Sequence, residues 1–304
     1  MNKNYNFSGF IWSPASQHTS SILEQINKYH PLLHYYTYHF KYQDMFSKSI
    51  MDIYKTDDID PNKVKNVKLK HMLNHTLSYT FFKLYIHEPQ FRTKENGNTI
   101  SCVVETLKRK IREAYKPFIR NYVHDIIIHI SDNFEQTNEI DQVMTTYQQF
   151  MTSQFINLKY FLQLNSTDGV LNRVDVLVRK HTIEHYLKDP NYTFEFYKKM
   201  QEKRTNRNSN EYMINFKHLI QSIKTRGLDP QCPIKYSLNY QLRDGSHRLS
   251  YALYLNKTFI AIEHMEWDNH KDYNLEWFVS NRFSNQELDI LRKELNKIRS
   301  YDFS

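Results

Sequence analysis

Arg243-Asp244-Gly245-Ser246-His247-Arg248-Leu249 is the stretch on which the reading of this chain turns. Its glycine is one of only five in 304 residues, so a turn placed there is a specific instruction. A strand-like run, Ile234-Lys235-Tyr236-Ser237-Leu238, leads toward it. A helical spacing, Leu249, Ala252, Leu253, follows it. Strand, glycine turn and helix N-terminus together form a backbone suited to holding an anion. Gly245 lets the chain turn tightly with no Cβ in the way. The first amides of a helix have no internal partner and point at the turn. His247 and Arg248 add side-chain donors, and the planar guanidinium fork matches phosphate oxygens.

The segment upstream has its own order. Phe216, Leu219, Ile220 and Ile223 occupy i, i+3, i+4 and i+7 of a helix over 212–226. Gly227 stands where a C-cap glycine belongs, and Pro233-Ile234 opens the strand. With Asp244-Gly-Ser-His-Arg-Leu-x-x-Ala252, this order resembles the ParB/sulfiredoxin superfamily over roughly 174–266. The resemblance implies an α+β C-terminal domain that binds the phosphates of ATP or another nucleoside triphosphate, with Mg²⁺, at Gly245, Ser246, His247 and Arg248. Some relatives with Asp-Gly-x-His-Arg are kinases of small metabolites such as free serine. Sulfiredoxins carry a catalytic cysteine at the Ser246 position, so reductase activity is not expected. Chromosome-partitioning members carry Gly-Glu-Arg-Arg, so a partition CTPase is not expected either.

The resemblance also places Ser222 at a hydroxyl position that contacts nucleotide phosphate, with Lys217 and His218 a turn earlier. A catalytic carboxylate precedes this helix in the serine-kinase relatives. Asp175, Glu184 and Glu211 are the candidates here, and Glu184 is the choice. Asp244 has two readings: a Mg²⁺ ligand, since hard cations take carboxylate oxygen, or the group that accepts the substrate hydroxyl's proton. The plainer reading makes Asp244 or Ser246 a helix cap and leaves His247 and Arg248 on the surface, although a cap requires neither His nor Arg. A small-molecule kinase is thus the leading expectation, its acceptor a hydroxylated metabolite, with family context suggesting cell-surface polysaccharide synthesis. The alternative is a ParB-like DNA-associated nucleotide-binding protein or a nuclease. Residues 267–304 offer an aromatic-rich segment and a single capped helix, which is too little for a helix-turn-helix.

Composition sets the bounds. The chain suits two domains or one large one, and with 40% hydrophobic residues, 23 Tyr and 19 Phe it can bury cores. Its net charge of +8 permits contact with nucleic acid or membrane surfaces, but the basic residues are spread evenly and would equally serve an acidic small substrate. Cys102 and Cys232 form no spacing motif, which suits a reducing cytoplasm. No apolar stretch approaches the ~20 residues of a membrane span. The N-terminus lacks the apolar core of a signal peptide, so a cytoplasmic location is expected.

Along the chain, Phe7–Trp12, Phe81–Ile86 and Val123–Ile130 read as strands. Ser20–Tyr29 reads as a helix, as does a segment after Thr99 or Ser101 with Val104, Leu107, Ile111 and Ala114 on one face. Strands alternating with helices predict an α/β N-terminal domain, 1–165. Ile140–Leu164 reads as a bridging helix, and Asn165-Ser-Thr-Asp-Gly169 as the boundary to a domain over 166–304. Beyond it, Val174–Val178 reads as strand, Phe194–Glu202 as helix and Phe259–Glu263 as strand. Ser284-x-x-Glu287 is a capping box opening a last helix, with Phe283 and Leu288 as its staple.

A second, acceptor-binding site is expected in the N-terminal part. Arg92, Lys108 and Arg112 lie near strand and helix ends, the last two as i, i+4 neighbours. Asp132 and Asn133 follow a strand, where ligands sit if the sheet is parallel; a polar turn is the other reading. His124 and His129, and the pair His71 and His75, lack a credible metal spacing.

Overall fold

A computed structural model describes residues 5–95, 97–123, 125–167, 170–205, 209–237, 240–266 and 272–299. Asp168, Gly169, His124 and Leu238 lie outside the described residues. The protein is mixed α/β, and its contacts divide it into two compact units, Met1–Gln154 with Ser304, and Phe155–Phe303. The division falls before the turn cluster at Asn165, inside a strand that the sequence pattern assigns to a helix.

The first unit contains β1 (Asn6–Ile11), α1 (Thr19–Tyr29), β2 (Leu32–His39), α2 (Gln43–Tyr54), the short turns α3 (Pro61–Lys63) and α4 (Lys70–Met72), and β3 (Ser78–Tyr85). The hairpin strands β4 (Phe91–Thr93) and β5 (Thr99–Ser101) follow, then α5 (Cys102–Tyr115), β6 (Ile128–Ile130), α6 (Phe134–Thr146) and the start of β7 (Met151–Asn157). Its main sheet has the order β7-β2-β3-β1-β6. The pairs β1–β3, β1–β6 and β2–β3 are all antiparallel, with Phe10 facing Phe81 and His129. The parallel sheet on which the placement of Asp132 and Asn133 depended is therefore absent from these pairs. Aromatic burial accounts for much of this core. Phe10 and Trp12 are fully buried and stack 4.9 Å apart, and each such side chain contributes roughly 1.5–3 kcal/mol.

The second unit contains α7 (Leu158–Leu164), the two-residue strands β8 (Ser166–Thr167) and β9 (Val170–Leu171), α8 (Asp175–Lys188), α9 (Glu195–Arg204) and α10 (Ser209–Arg226). It continues with β10 (Ile234–Tyr236), β11 (Leu242–Asp244), α11 (Ser246–Tyr254), β12 (Phe259–His264), α12 (Leu275–Ser280) and α13 (Asn285–Arg299). Strand order is β11-β10-β12-β7, with β10 antiparallel to β11 and parallel to β12. α11 packs on α8, and α9 on α10.

Several expectations need correction, each for a local reason. The apolar run Val123–Ile130 is a strand only over Ile128–Ile130, because Asp125 takes φ 59° and breaks the extended path. Ile140–Leu164 is not one helix. α6 ends at Thr146, β7 follows, and Asn157 starts α7 by accepting the Lys159 amide at 3.0 Å. Val174–Val178 opens a helix; Val176, Leu177 and Val178 are all fully buried, and a short run buried all round carries no period. The run leading to the bend is two strands, since Arg243 and Asp244 themselves lie in β11. β2, α2 and α12 were not foreseen, so the C-terminal segment carries two helices rather than one.

Other elements follow their local signals. Ser101 caps α5 through the Val104 amide at 3.2 Å. Gly227 closes α10 at φ 78°. The capping box closes in both directions: the Ser284 amide donates to Glu287 Oε2 at 2.6 Å, and the Glu287 amide to Ser284 Oγ at 3.3 Å. Removing one cap costs about 1 kcal/mol in typical hosts. Ser284→Ala is expected to lower stability by that amount in urea unfolding, and an unchanged midpoint would show that packing alone holds α13.

Candidate functional site: the bend between β11 and α11

Gly245 sits at φ 88°, ψ 18° as the N-cap of α11, directly after β11. A Cβ there would lie 3.1 Å from the Ile234 Cα and 3.3 Å from Arg248 Nε, so the turn needs glycine for both conformation and space. No side chain caps α11. Asp244 instead turns back, Oδ1 accepting the Gly245 amide at 2.6 Å and Oδ2 accepting Arg248 Nη2 at 3.2 Å. Its carboxylate is two-thirds exposed. Arg248 also donates to the Cys232 carbonyl at 2.7 Å, which ties the loop before β10 to the bend. Asn165 braces the hairpin from the far side, donating to the Tyr240 carbonyl at 2.7 Å and accepting the Leu242 amide at 2.9 Å.

His247 faces inward. Its Nε2 lies 2.9 Å from the Tyr197 hydroxyl, and its ring centroid 4.4 Å from that of Phe216. Gln201 donates to the same hydroxyl at 2.8 Å, which leaves the hydroxyl proton for His247 Nε2. Burial, then the guanidiniums of Arg179 and Arg204, push the imidazole well below its ordinary pKa, so it is held neutral.

Beneath the bend lies a charge cluster that the sequence did not announce. Arg173 clamps Asp175 with two bonds, Nε to Oδ1 at 2.8 Å and Nη2 to Oδ2 at 2.9 Å. The same guanidinium donates to the Leu242 carbonyl at 2.8 Å and to Ser246 Oγ at 2.9 Å. Arg179 reaches Asp175 Oδ2 at 2.7 Å, and Arg204 lies 3.5 Å from it. Asp175 is fully buried. Burial alone would raise its pKa; Arg173, then Arg179 and Arg204, hold it well below the usual carboxylate range. Burial lowers Arg179 to about 10 despite Asp175. The Nε atoms of Arg179 and Arg204 are both buried without a hydrogen-bond partner. A buried donor left unmade costs about 1–3 kcal/mol.

The remaining expected residues fall elsewhere. Glu184 pairs with Lys188 at 2.9 Å, which lowers its pKa, and lies nine residues along α8 from Asp175. That is about 13 Å of helix rise. Asp175, not Glu184, is the carboxylate bonded into the bend. Ser222 accepts Arg226 Nη2 at 2.5 Å, Lys217 lies over the Phe194 ring at 5.1 Å, and Glu211 is exposed in the first turn of α10.

The N-terminal candidates are paired. Lys108 donates to Asp132 Oδ1 at 2.5 Å and the Ile130 carbonyl at 3.1 Å, Arg112 meets Asp125 at 3.2 Å, and Arg92 meets Glu105 at 3.0 Å. Asn133 caps α6 through the Gln136 amide at 2.9 Å. Beside Lys108 and Arg112 the first unit buries a polar group that sequence reasoning passed over. The His129 Nδ1 lies 3.8 Å from Asp57, and Lys68 donates to the Tyr54 hydroxyl at 3.4 Å. Burial, then Arg112, lowers Lys68 to about 8; burial, then Asp132, raises Asp57. Trp12 Nε1, Arg112 Nε and His129 Nε2 are buried there without partners. Ring contacts join Trp12, Tyr54 and His129 within this group, and no spacing in the chain signals it. Among the described residues, no group of three or more His, Cys, Asp or Glu could hold a metal ion, and no helix is long and apolar enough to cross a membrane.

Comparison of the chain with protein-family models and with curated proteins finds no match.

Two outcomes are expected. Asp175→Ala leaves three guanidiniums without their carboxylate, and losing one partner of a buried pair costs about 3–5 kcal/mol. Equilibrium unfolding measures it; a loss under 1 kcal/mol would place the cluster in open solvent. Burial, and next the cations around them, depress His129 and His247 in the folded state, so both stay neutral while the unfolded chain takes up protons near pH 6.5. Their contribution is whole above that pH and falls as pH drops, by up to about 1.4 kcal/mol per pH unit for each. His129→Phe should flatten the decline in urea stability between pH 7 and 5.5, and an equally steep decline in the variant would show His129 to be reached by solvent protons.

Proposed function

We propose that this protein is a nucleotide-dependent phosphotransferase that uses the Asp244–Arg248 bend to hold a triphosphate and passes a phosphoryl group to a small hydroxylated acceptor. One observation carries the reading: β11 runs into a left-handed glycine and then into a helix whose first turn has no side-chain cap. Free amides at a helix N-terminus favour phosphate oxygens. Phosphoryl transfer asks mainly for charge neutralisation and alignment, and the second unit concentrates cations around that turn. The ParB/sulfiredoxin-like order of motifs in the sequence agrees with this use of the bend.

Each residue then has a role. The amides of Ser246 and His247 cradle phosphate. Arg248 turns from the Cys232 carbonyl and Asp244 toward a phosphate oxygen, exchanging one set of acceptors for a charged one. Asp244, mostly exposed, is free to share Mg²⁺ with the phosphates; Mg²⁺ is commonly held by one or two carboxylates plus substrate oxygens. His247 is buried and neutral, and supports the bend through Tyr197 rather than supplying positive charge. A part for the first unit in choosing the acceptor is an expectation of the sequence reading, with Arg92, Lys108, Arg112, Asp132 and Asn133 as its residues. A product destined for cell-surface polysaccharide follows from the resemblance alone.

Incubation with γ-labelled ATP, Mg²⁺ and a panel of sugars and amino-alcohols tests the reading; label should move to one acceptor. Arg248→Ala should weaken ATP binding by about 1.5–3 kcal/mol in calorimetry, the scale of a charged hydrogen bond. Asp244→Asn should suppress turnover more than binding. Undiminished turnover in Asp244→Asn removes that carboxylate from the chemistry, and salt-sensitive DNA binding without any transfer would favour the DNA-associated alternative.

A further inference from the structure

We infer that Arg179 and Arg204, beside the first turn of α11, form a binding site for a phosphoryl group. The inference rests on the reading of the bend as an anion site and deepens it by assigning two residues that the signature segment does not contain. Asp175 is fully buried and is the carboxylate that Arg173, Arg179 and Arg204 share. Arg173 takes most of it, in the two-bond clamp, and feels the exposed Asp272 as well. Arg179 spends one nitrogen, Nη1, on Oδ2 and on the Asp175 backbone carbonyl at 2.8 Å, and Arg204 Nη1 lies 3.5 Å from Oδ2 and donates to Gln201 Oε1 at 3.4 Å. Both keep a buried Nε with no acceptor. Arg179 is only 2% exposed, so bulk water does not screen it freely.

A cluster built only to hold the fold would match its charges and satisfy its donors. This one sets three guanidiniums against one buried carboxylate, and Arg179 and Arg204 each keep a buried Nε without a hydrogen-bond partner. The Tyr197 ring that lies against Arg179 carries the hydroxyl bonded to His247 Nε2 at 2.9 Å, and Arg173, which shares Asp175 with both, bonds Ser246 Oγ at 2.9 Å; His247 and Ser246 form the first turn of α11. The rings of Tyr197 and Tyr273 line the two guanidiniums at 5.9 Å and 4.1 Å, which fixes their planes. Two guanidinium forks near the amides of a helix N-terminus suit a multiply charged oxyanion such as a phosphoryl group. The phosphoryl group can come from the tail of a nucleotide or from a phosphorylated metabolite.

The test uses the full chain with inorganic phosphate, pyrophosphate, ATP and glucose 1-phosphate, in titration calorimetry. Arg204→Gln is the informative variant, because Arg173 and Arg179 still hold Asp175 without it. It is expected to weaken binding of whichever of these anions the wild type takes by at least tenfold. Arg204→Lys should recover part of the loss, and the thermal midpoint of the ligand-free protein should not fall. Binding of ATP but not glucose 1-phosphate assigns the group to a nucleotide, and the reverse assigns it to a metabolite; both support the site. Equal affinity in wild type and Arg204→Gln, or no binding of any of the four at millimolar concentration, overturns it. Loss of binding in Arg204→Gln without phosphoryl transfer in the wild type keeps this site and ends the phosphotransferase reading. Transfer that is undisturbed in Arg204→Gln does the opposite.

Discussion

A carboxylate with no access to water, Asp175, is the constraint on which the second unit depends. It stands at the first residue of α8, where the helix field already favours a negative charge. Arg173 grips it and, with the same guanidinium, holds the Leu242 carbonyl of β11 and the Ser246 hydroxyl of α11. Arg179 binds it from the next turn of α8, and Arg204 comes to it from the end of α9. One ion thereby gathers four elements around the bend. Buried ions are costly unless paired and hydrogen-bonded, so loss of the carboxylate strands every cation drawn to it.

The bend inherits its shape from that anchor. Gly245 has room for no side chain because Ile234 passes directly beside it, and Arg248 closes the outer wall on Cys232. His247 is turned inward onto Phe216 and Tyr197, so it serves as a brace. This division of labour differs from the expectation that both His247 and Arg248 face a ligand. The charge that His247 does not supply is available from Arg179 and Arg204, which arrive from distant parts of the chain. The first unit repeats the theme with less excess charge. Its Lys108–Asp132 and Arg112–Asp125 pairs surround His129, Asp57 and Lys68, and bury polar atoms that lack partners.

Legibility followed the range of the interactions. α10 was readable because its apolar residues repeat at 3.6 and a glycine ends it; α13 was readable because its capping box is complete within four residues. The hydroxyl of Ser101 announced α5 in the same way. Continuous apolar runs misled. Ile126 and Ile127 are buried without being strand, and Val176–Val178 is a helix buried on every side. Ile140–Leu164 hid a helix, a strand and another helix, because the Asn157 cap that separates the last two looks like any polar residue in a mixed stretch.

The residues alone determined the local instructions: where a glycine must turn left-handed, which stripes face a core, and which hydroxyl or carboxylate caps a helix. Those depend on neighbours within a few positions, and the chain states them outright. Tertiary structure decided which carboxylate meets the bend, that His247 points inward, and that the pairings around β6 run antiparallel. Arg173, Asp175, Arg179 and Arg204 acquire their meaning only when burial removes the water that would otherwise separate their charges. No spacing in a sequence records that removal, because desolvation is a property of the packed molecule.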